Sequence, residues 1–240
     1  MNNKNNKGFT LIEMSIVMVI IALIVVGILA GQSLIKSANI RSVISETKSF
    51  HTLLNAFELK FAALPGDMLE ATSYWPAASV TENGDGDGWI EVTGGVSGTV
   101  REDLRAWQHL SLAEMTGAPF TGALDNAKIT VGTNVPSSKL AYAGYWLVYS
   151  GVTSAAGERG KLENFLTLGK EDTSNGLTEA SLSGVDAYDL DNKIDDKDPL
   201  TGKVMSSENI NGSATNCVNA SNAYDRSTND VICRPLIWLK

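Results

Sequence analysis

The chain has 240 residues, enough for one sizeable domain with an appendage or for two small domains. Hydrophobic residues make up 43% and charged residues 19%, a balance that excludes a disordered polyelectrolyte. With 19 Lys and Arg against 27 Asp and Glu, the net charge is −8, so nucleic acid, which needs basic patches, is not an expected partner.

Met1–Gly8 is polar, and its only charges are Lys4 and Lys7; without it the net charge would be −10. Phe9–Gly31 follows, 23 residues that are apolar or weakly polar with the single exception of Glu13. At about 1.5 Å of rise per residue, a helix of that length crosses a hydrocarbon core of roughly 30 Å. The lysines ahead of it favour a cytoplasmic start and an exported remainder, although Lys36 and Arg41 on the far side weaken the asymmetry.

Such a segment has three fates. A secretory signal peptide cut between Ala30 and Gly31 would place Ile28 where a small residue is wanted and Glu13 inside the apolar region. An uncut signal anchor would keep the whole run. A cut between Gly8 and Phe9 would leave the apolar run at the head of the mature chain. The stretch "KGFTLIE" (7–13), followed by about twenty apolar residues, resembles the class III leader of type IV pilins and type II secretion pseudopilins. The resemblance is strongest over residues 1–35. It implies a prepilin peptidase that cuts after Gly8 and methylates Phe9, and assembly with other pilin-like subunits. It also implies a subunit held in the bacterial inner membrane with its head exported, then built into a type IV pilus or type II secretion pseudopilus. The contrasting reading is a membrane-anchored exported binding or hydrolytic domain that does not polymerise.

A carboxylate in hydrocarbon is costly unless neutralised or paired, which makes Glu13 a functional position by default. Cleavage after Gly8 would create an α-amine on Phe9, four residues before Glu13 and on the same helical face. The amine could come instead from a neighbouring copy at another height, which would turn the carboxylate into a mark of subunit stagger. The resemblance implies this second arrangement. The bland alternative is a glutamate that snorkels to the headgroups.

Beyond Gly31 the apolar residues thin into a stripe. Ile40, Val43, Ile44, Phe50, Leu54, Phe57 and Phe61 recur mostly at three- or four-residue intervals, with Glu46, Lys48, His51, Asn55 and Glu58 between them. Pro65 and Gly66 end the pattern. The spacing predicts one helix of about 80 Å, apolar in its first half and amphipathic in its second. The layout is again pilin-like, but many pilins carry a proline in the apolar half and none lies between Phe9 and Leu64. Gly27 and Gly31 are the positions able to loosen it.

The expected organisation is therefore a leader at 1–8, a transmembrane and polymerisation helix at 9–31, its amphipathic half at 32–64 and an exported head at 65–240. In the head, residues 99–117 read as a helix with a Thr99–Glu102 capping box and an end at Gly117. Residues 128–131, 140–150, 164–169, 203–205 and 236–239 read as strands, and 177–190 as a helix. The fold class is α+β: the long helix packed on a C-terminal antiparallel sheet.

Cys217 and Cys233 form a disulfide if the head is exported, worth about 3 kcal/mol for a loop of this length; free thiols or half a metal site are the alternatives. A C-terminal disulfide loop is also what the resemblance implies. In "NGDGDGWIE" (83–91), Asn83, Asp85 and Asp87 alternate ahead of Gly88 and Ile90, as in the first half of an EF-hand loop, so calcium is the candidate cofactor. The closing glutamate position holds Gly94, leaving Glu91, Glu102 or Asp103 as substitutes, and an ion-free acidic turn is the alternative. Asp186, Asp189, Asp191, Asp195, Asp196 and Asp198 read as a solvated face or turn. His51 and His109 read as surface or interface positions. No nucleophile elbow, zincin motif or P-loop is present, so an enzyme is not expected.

Overall fold

A computed structural model describes residues 9–76, 82–92, 101–123, 128–140, 142–150, 163–172, 176–207 and 217–239. Gly8, Gly94 and Thr99 lie outside the described residues. The chain divides into two compact units, Met1–Arg41 and Ser42–Lys240. Helix α1, Leu11–Phe61, supplies the described regular structure of the first unit and the opening element of the second.

In the first unit, every large apolar side chain from Phe9 to Ile35 is exposed, none by less than 44%. A continuous apolar surface of that extent is not tolerated by a soluble monomer. The helix is long and apolar enough to cross a membrane.

In the second unit, the stripe read from the sequence becomes a packing face. Val43, Leu54 and Phe57 are buried, and the Phe50 ring meets Trp107 and Tyr145 edge-on at 5.0 and 4.9 Å. α1 stops at Phe61 because Ala62 turns left-handed at φ 53, its N–H still reaching Glu58 O, and Pro65 follows.

Short helix α2 (Ala71–Tyr74) and helix α3 (Glu102–Leu112) precede strands β1 (Ala143–Ser150), β2 (Glu163–Lys170) and β3 (Leu182–Ser183). Helix α4 (Gly184–Ile194) and strands β4 (Val204–Ser207) and β5 (Val231–Trp238) complete the order. The five strands pair antiparallel in the order β1-β2-β5-β3, with β4 also on β5. The α+β class is as expected. Phe165, Met205 and Leu236 form one buried cluster, with Trp238 packed against it.

Several boundaries differ from the sequence reading. Residues 128–131 form no strand; Val131 makes only an isolated bridge to Val135. The expected helix at 177–190 begins later, at Gly184. Ser183 is its cap, accepting the Asp186 N–H, and Leu182–Ser183 is claimed by β5. α3 is shorter than 99–117: its cap is Arg101, without a side-chain capping bond, and Glu114 at φ 58 reverses the chain before Gly117. β5 starts five residues earlier than expected and contains Pro235. On one side that residue falls between the stretches paired with β3 and with β2, and on the other it faces Ser206 of β4 in a pair that exchanges no hydrogen bonds, so its missing N–H interrupts no ladder.

The Cys217–Cys233 disulfide is present, both residues fully buried. It ties the segment after residue 216 to the middle of β5.

Candidate functional site

Two regions gather the residues singled out by sequence. The first is the start of α1. Thr10 donates its backbone N–H and its hydroxyl to Glu13 Oε2, each at 2.8 Å, and the Glu13 N–H returns to Thr10 Oγ1 at 3.3 Å. This is a reciprocal capping box, in which the carboxylate satisfies N-terminal amides that the helix leaves without partners. The signal for it, Thr-x-x-Glu ahead of an apolar run, is present in "TLIE"; a reading of Glu13 as a charge-pairing residue overlooks it. Phe9, one residue before Thr10, is 80% exposed.

The second region is the acidic loop 82–91. Asp67, buried just after α1, collects this loop: Oδ1 accepts the Gly86 and Asp87 N–H groups at 2.6 and 3.1 Å, and Oδ2 accepts that of Gly88 at 2.9 Å. Gly86 and Gly88 have φ of 74 and 94, which lets three consecutive amides converge on one carboxylate. Glu102 anchors the other side. It receives the Asp85 N–H on Oε1 at 3.1 Å and the Glu91 N–H on Oε2 at 3.2 Å. Burial pushes Asp67 up to about 6 and Glu102 up to about 8, against the pull of these amides.

The residues proposed for calcium are divided by this arrangement. Asn83 Oδ1 accepts the N–H and hydroxyl of Thr72, at 3.0 and 3.1 Å, at the start of α2. Asp85 stands at the junction of two triads, each with oxygens within 4.8 Å of one another: Asp67, Asp85 and Glu102, and Asp85, Asp87 and Glu91. Glu91 and Glu102, the substitutes for a closing glutamate, are thus beside the loop. Asp103 meets the loop only through its backbone N–H, on Glu91 O at 3.2 Å; its carboxylate pairs with Arg101 at 2.6 Å and accepts the Trp146 indole N–H at 2.7 Å. Sequence reasoning missed Asp67, which lies outside the motif.

Two further expectations are corrected. His109 is fully buried rather than a surface residue: Nδ1 accepts the Gly66 N–H at 3.0 Å, and burial drives the imidazole pKa down to about 3. The second acidic group is only partly a solvated turn, because Asp191 is fully buried and accepts the Tyr224 hydroxyl at 2.8 Å and the Lys197 N–H at 3.1 Å. Burial raises its pKa to about 6. His51 is exposed, as expected, beside Asn55.

Residues 3–29 match the prokaryotic N-terminal methylation motif, the prepilin-type leader of type IV pilins and pseudopilins. No curated protein and no solved structure matches the chain.

Proposed function

We propose that a chain bearing this methylation motif on an exposed apolar helix is a structural subunit of a type IV pilus or a type II secretion pseudopilus, not an enzyme. Prepilin peptidase cuts after Gly8 and methylates Phe9. Residues 9–31 hold the subunit in the inner membrane with the head exported, and then pack against the same segment of other pilin-like subunits. The observation that carries this reading is the overlap of the motif at 3–29 with a stretch, Phe9–Ile35, whose large apolar side chains are all exposed. Such a surface needs lipid or further copies of itself to cover it. In this reading Glu13 has two successive roles. It caps its own helix with Thr10, and on assembly it receives the methylated amine of a neighbour, which fixes the stagger between copies.

Intact-mass measurement on protein from a native host tests the proposal. The expected mass is that of a chain beginning at N-methylated Phe9. A chain that retains Met1–Gly8, or that begins at Gly31, overturns it and favours a non-polymerising anchored domain.

Calcium belongs to the proposal as a structural ligand of the head. The two carboxylate triads that share Asp85 supply hard oxygen donors, and Asp67 Oδ2 and Glu102 Oε1, which each accept a single amide, keep a lone pair beyond it.

A further inference from the structure

At the C-terminal end of α1, a surface cavity of about 440 Å³ is bounded by Glu58, Phe61, Asp67, Leu69, Glu70 and Tyr74, among others. It lies wholly within the unit Ser42–Lys240, so its binding chemistry does not depend on whether the chain polymerises.

Three features give this cavity a preference for positive charge. Its described lining includes three carboxylates, of which Asp67 is already engaged by loop amides, and no lysine or arginine. α1 ends at its edge, with the left-handed turn at Ala62, so the negative end of the helix dipole and the last-turn carbonyls are local to it. Its aromatic wall is a corner in which the rings of Phe61 and Tyr74 meet edge to face, centroids 5.3 Å apart at 88°. Lys60, which is not part of the lining, already holds its Nζ 5.1 Å from the Phe61 centroid, so this ring attracts a cation within the chain itself. A strongly hydrated inorganic ion would gain little from aromatic walls, whereas a weakly hydrated organic cation gains from walls and carboxylates together.

We propose that this cavity binds an organic cation, an alkylammonium or guanidinium group, seated against Phe61 and Tyr74 with Glu70 as the counter-charge. The group comes either from a free small amine or from a lysine or arginine side chain of another polypeptide.

Titration calorimetry on the full-length protein in a neutral detergent at low salt tests this. The probes are choline and the amides of N-acetyl-lysine and N-acetyl-arginine, with 3,3-dimethylbutanol as the uncharged isostere of choline. Saturable binding of at least one cation, and none of the isostere, is expected. Glu70→Gln should weaken it about tenfold, the loss of one charged contact. Tyr74→Ser should weaken it as well. Both residues are exposed, so the fold survives these changes, and melting temperatures measured in parallel verify that. Zero-length carbodiimide cross-linking of the native assembly identifies the source. A bond from Glu70 to a lysine of another chain supports the side chain, tighter binding of the arginine amide than of choline supports an arginine, which this reagent does not couple, and choline binding tighter than either amide with no such bond supports the free amine. Equal binding of the isostere, or no saturable heat from any cation, overturns the proposal.

Discussion

The phenolic hydroxyl of Tyr145 on β1 donates to Glu46 Oε2 on α1 at 2.7 Å, joining positions 99 apart in sequence. Ser138 reaches the same oxygen at 3.3 Å, and the Phe50 ring, about one turn further along α1, lies on the Tyr145 ring. One fully buried tyrosine thus holds the first strand of the sheet to the amphipathic half of the helix by a polar bond and an aromatic contact together.

Tyr145→Phe keeps the ring and deletes the bond. Glu46 is only partly buried and recovers water, so the expected loss is about 1.5 kcal/mol. A lower denaturant midpoint at unchanged slope is the expected result; an unchanged midpoint would show that the bond contributes nothing.

His109 gives the head a pH dependence of definite sign. In the unfolded chain it binds a proton below its ordinary value near 6.5, whereas in the fold it stays neutral down to about 3. The unfolded state therefore gains protons across that window, and the stability contributed by this site falls by roughly 1.4 kcal/mol per pH unit as pH drops from 6.5. Asp67, Asp191 and Glu102 act oppositely, because their raised values make the folded state the better proton binder on acidification. The stability difference between wild type and His109→Gln isolates the histidine. It should shift against wild type on acidification below 6.5 and stay flat above it. A difference independent of pH would contradict the buried, neutral ring.

Breaking the Cys217–Cys233 bridge by Cys217→Ser with Cys233→Ser should cost about 3 kcal/mol. Reductant added to wild type should give a similar loss in a thermal melt and should leave the double variant unaffected.

At the N-terminus, Thr10→Val removes the cap alone, and Glu13→Gln keeps an acceptor for Thr10 and removes the charge alone. The first should weaken the helix end by about 1 kcal/mol and the second by much less, and both should leave the subunit in the membrane. Only Glu13→Gln should abolish incorporation into sheared filaments. Equal incorporation by the two variants would reduce Glu13 to a capping residue.

Calcium should raise the melting temperature of the full-length protein, and a chelator should reverse the gain. Asp85→Asn, which touches both triads, should lose the response, while Asn83→Ala should keep it, because Asn83 serves α2. No response in wild type would leave the loop as an amide-stitched acidic turn.

The parts legible in sequence are those set by short-range pattern. The α1 stripe, the end near Pro65 and the strands around 143–150 and 164–169 follow from periodicity and turn residues. Where distant segments decide, local pattern fails. Leu182–Ser183 is extended because β5 pairs with it, 128–131 makes only isolated bridges, and His109 is buried because Phe57 and Trp75 cover it. The candidate site divides in the same way. Asp85 and Glu102 are within reach of a local motif, but Asp67 enters the loop through three amides 19 to 21 positions away, and no spacing rule signals that.

Strand β5 comes after all four of its companions in chain order and bonds to three of them directly, besides carrying Cys233. β2, β3 and β4 therefore lack a common partner until residues 231–238 have been synthesised. In the exported subunit proposed above, that chain order keeps the sheet incomplete while the preceding residues cross the bilayer.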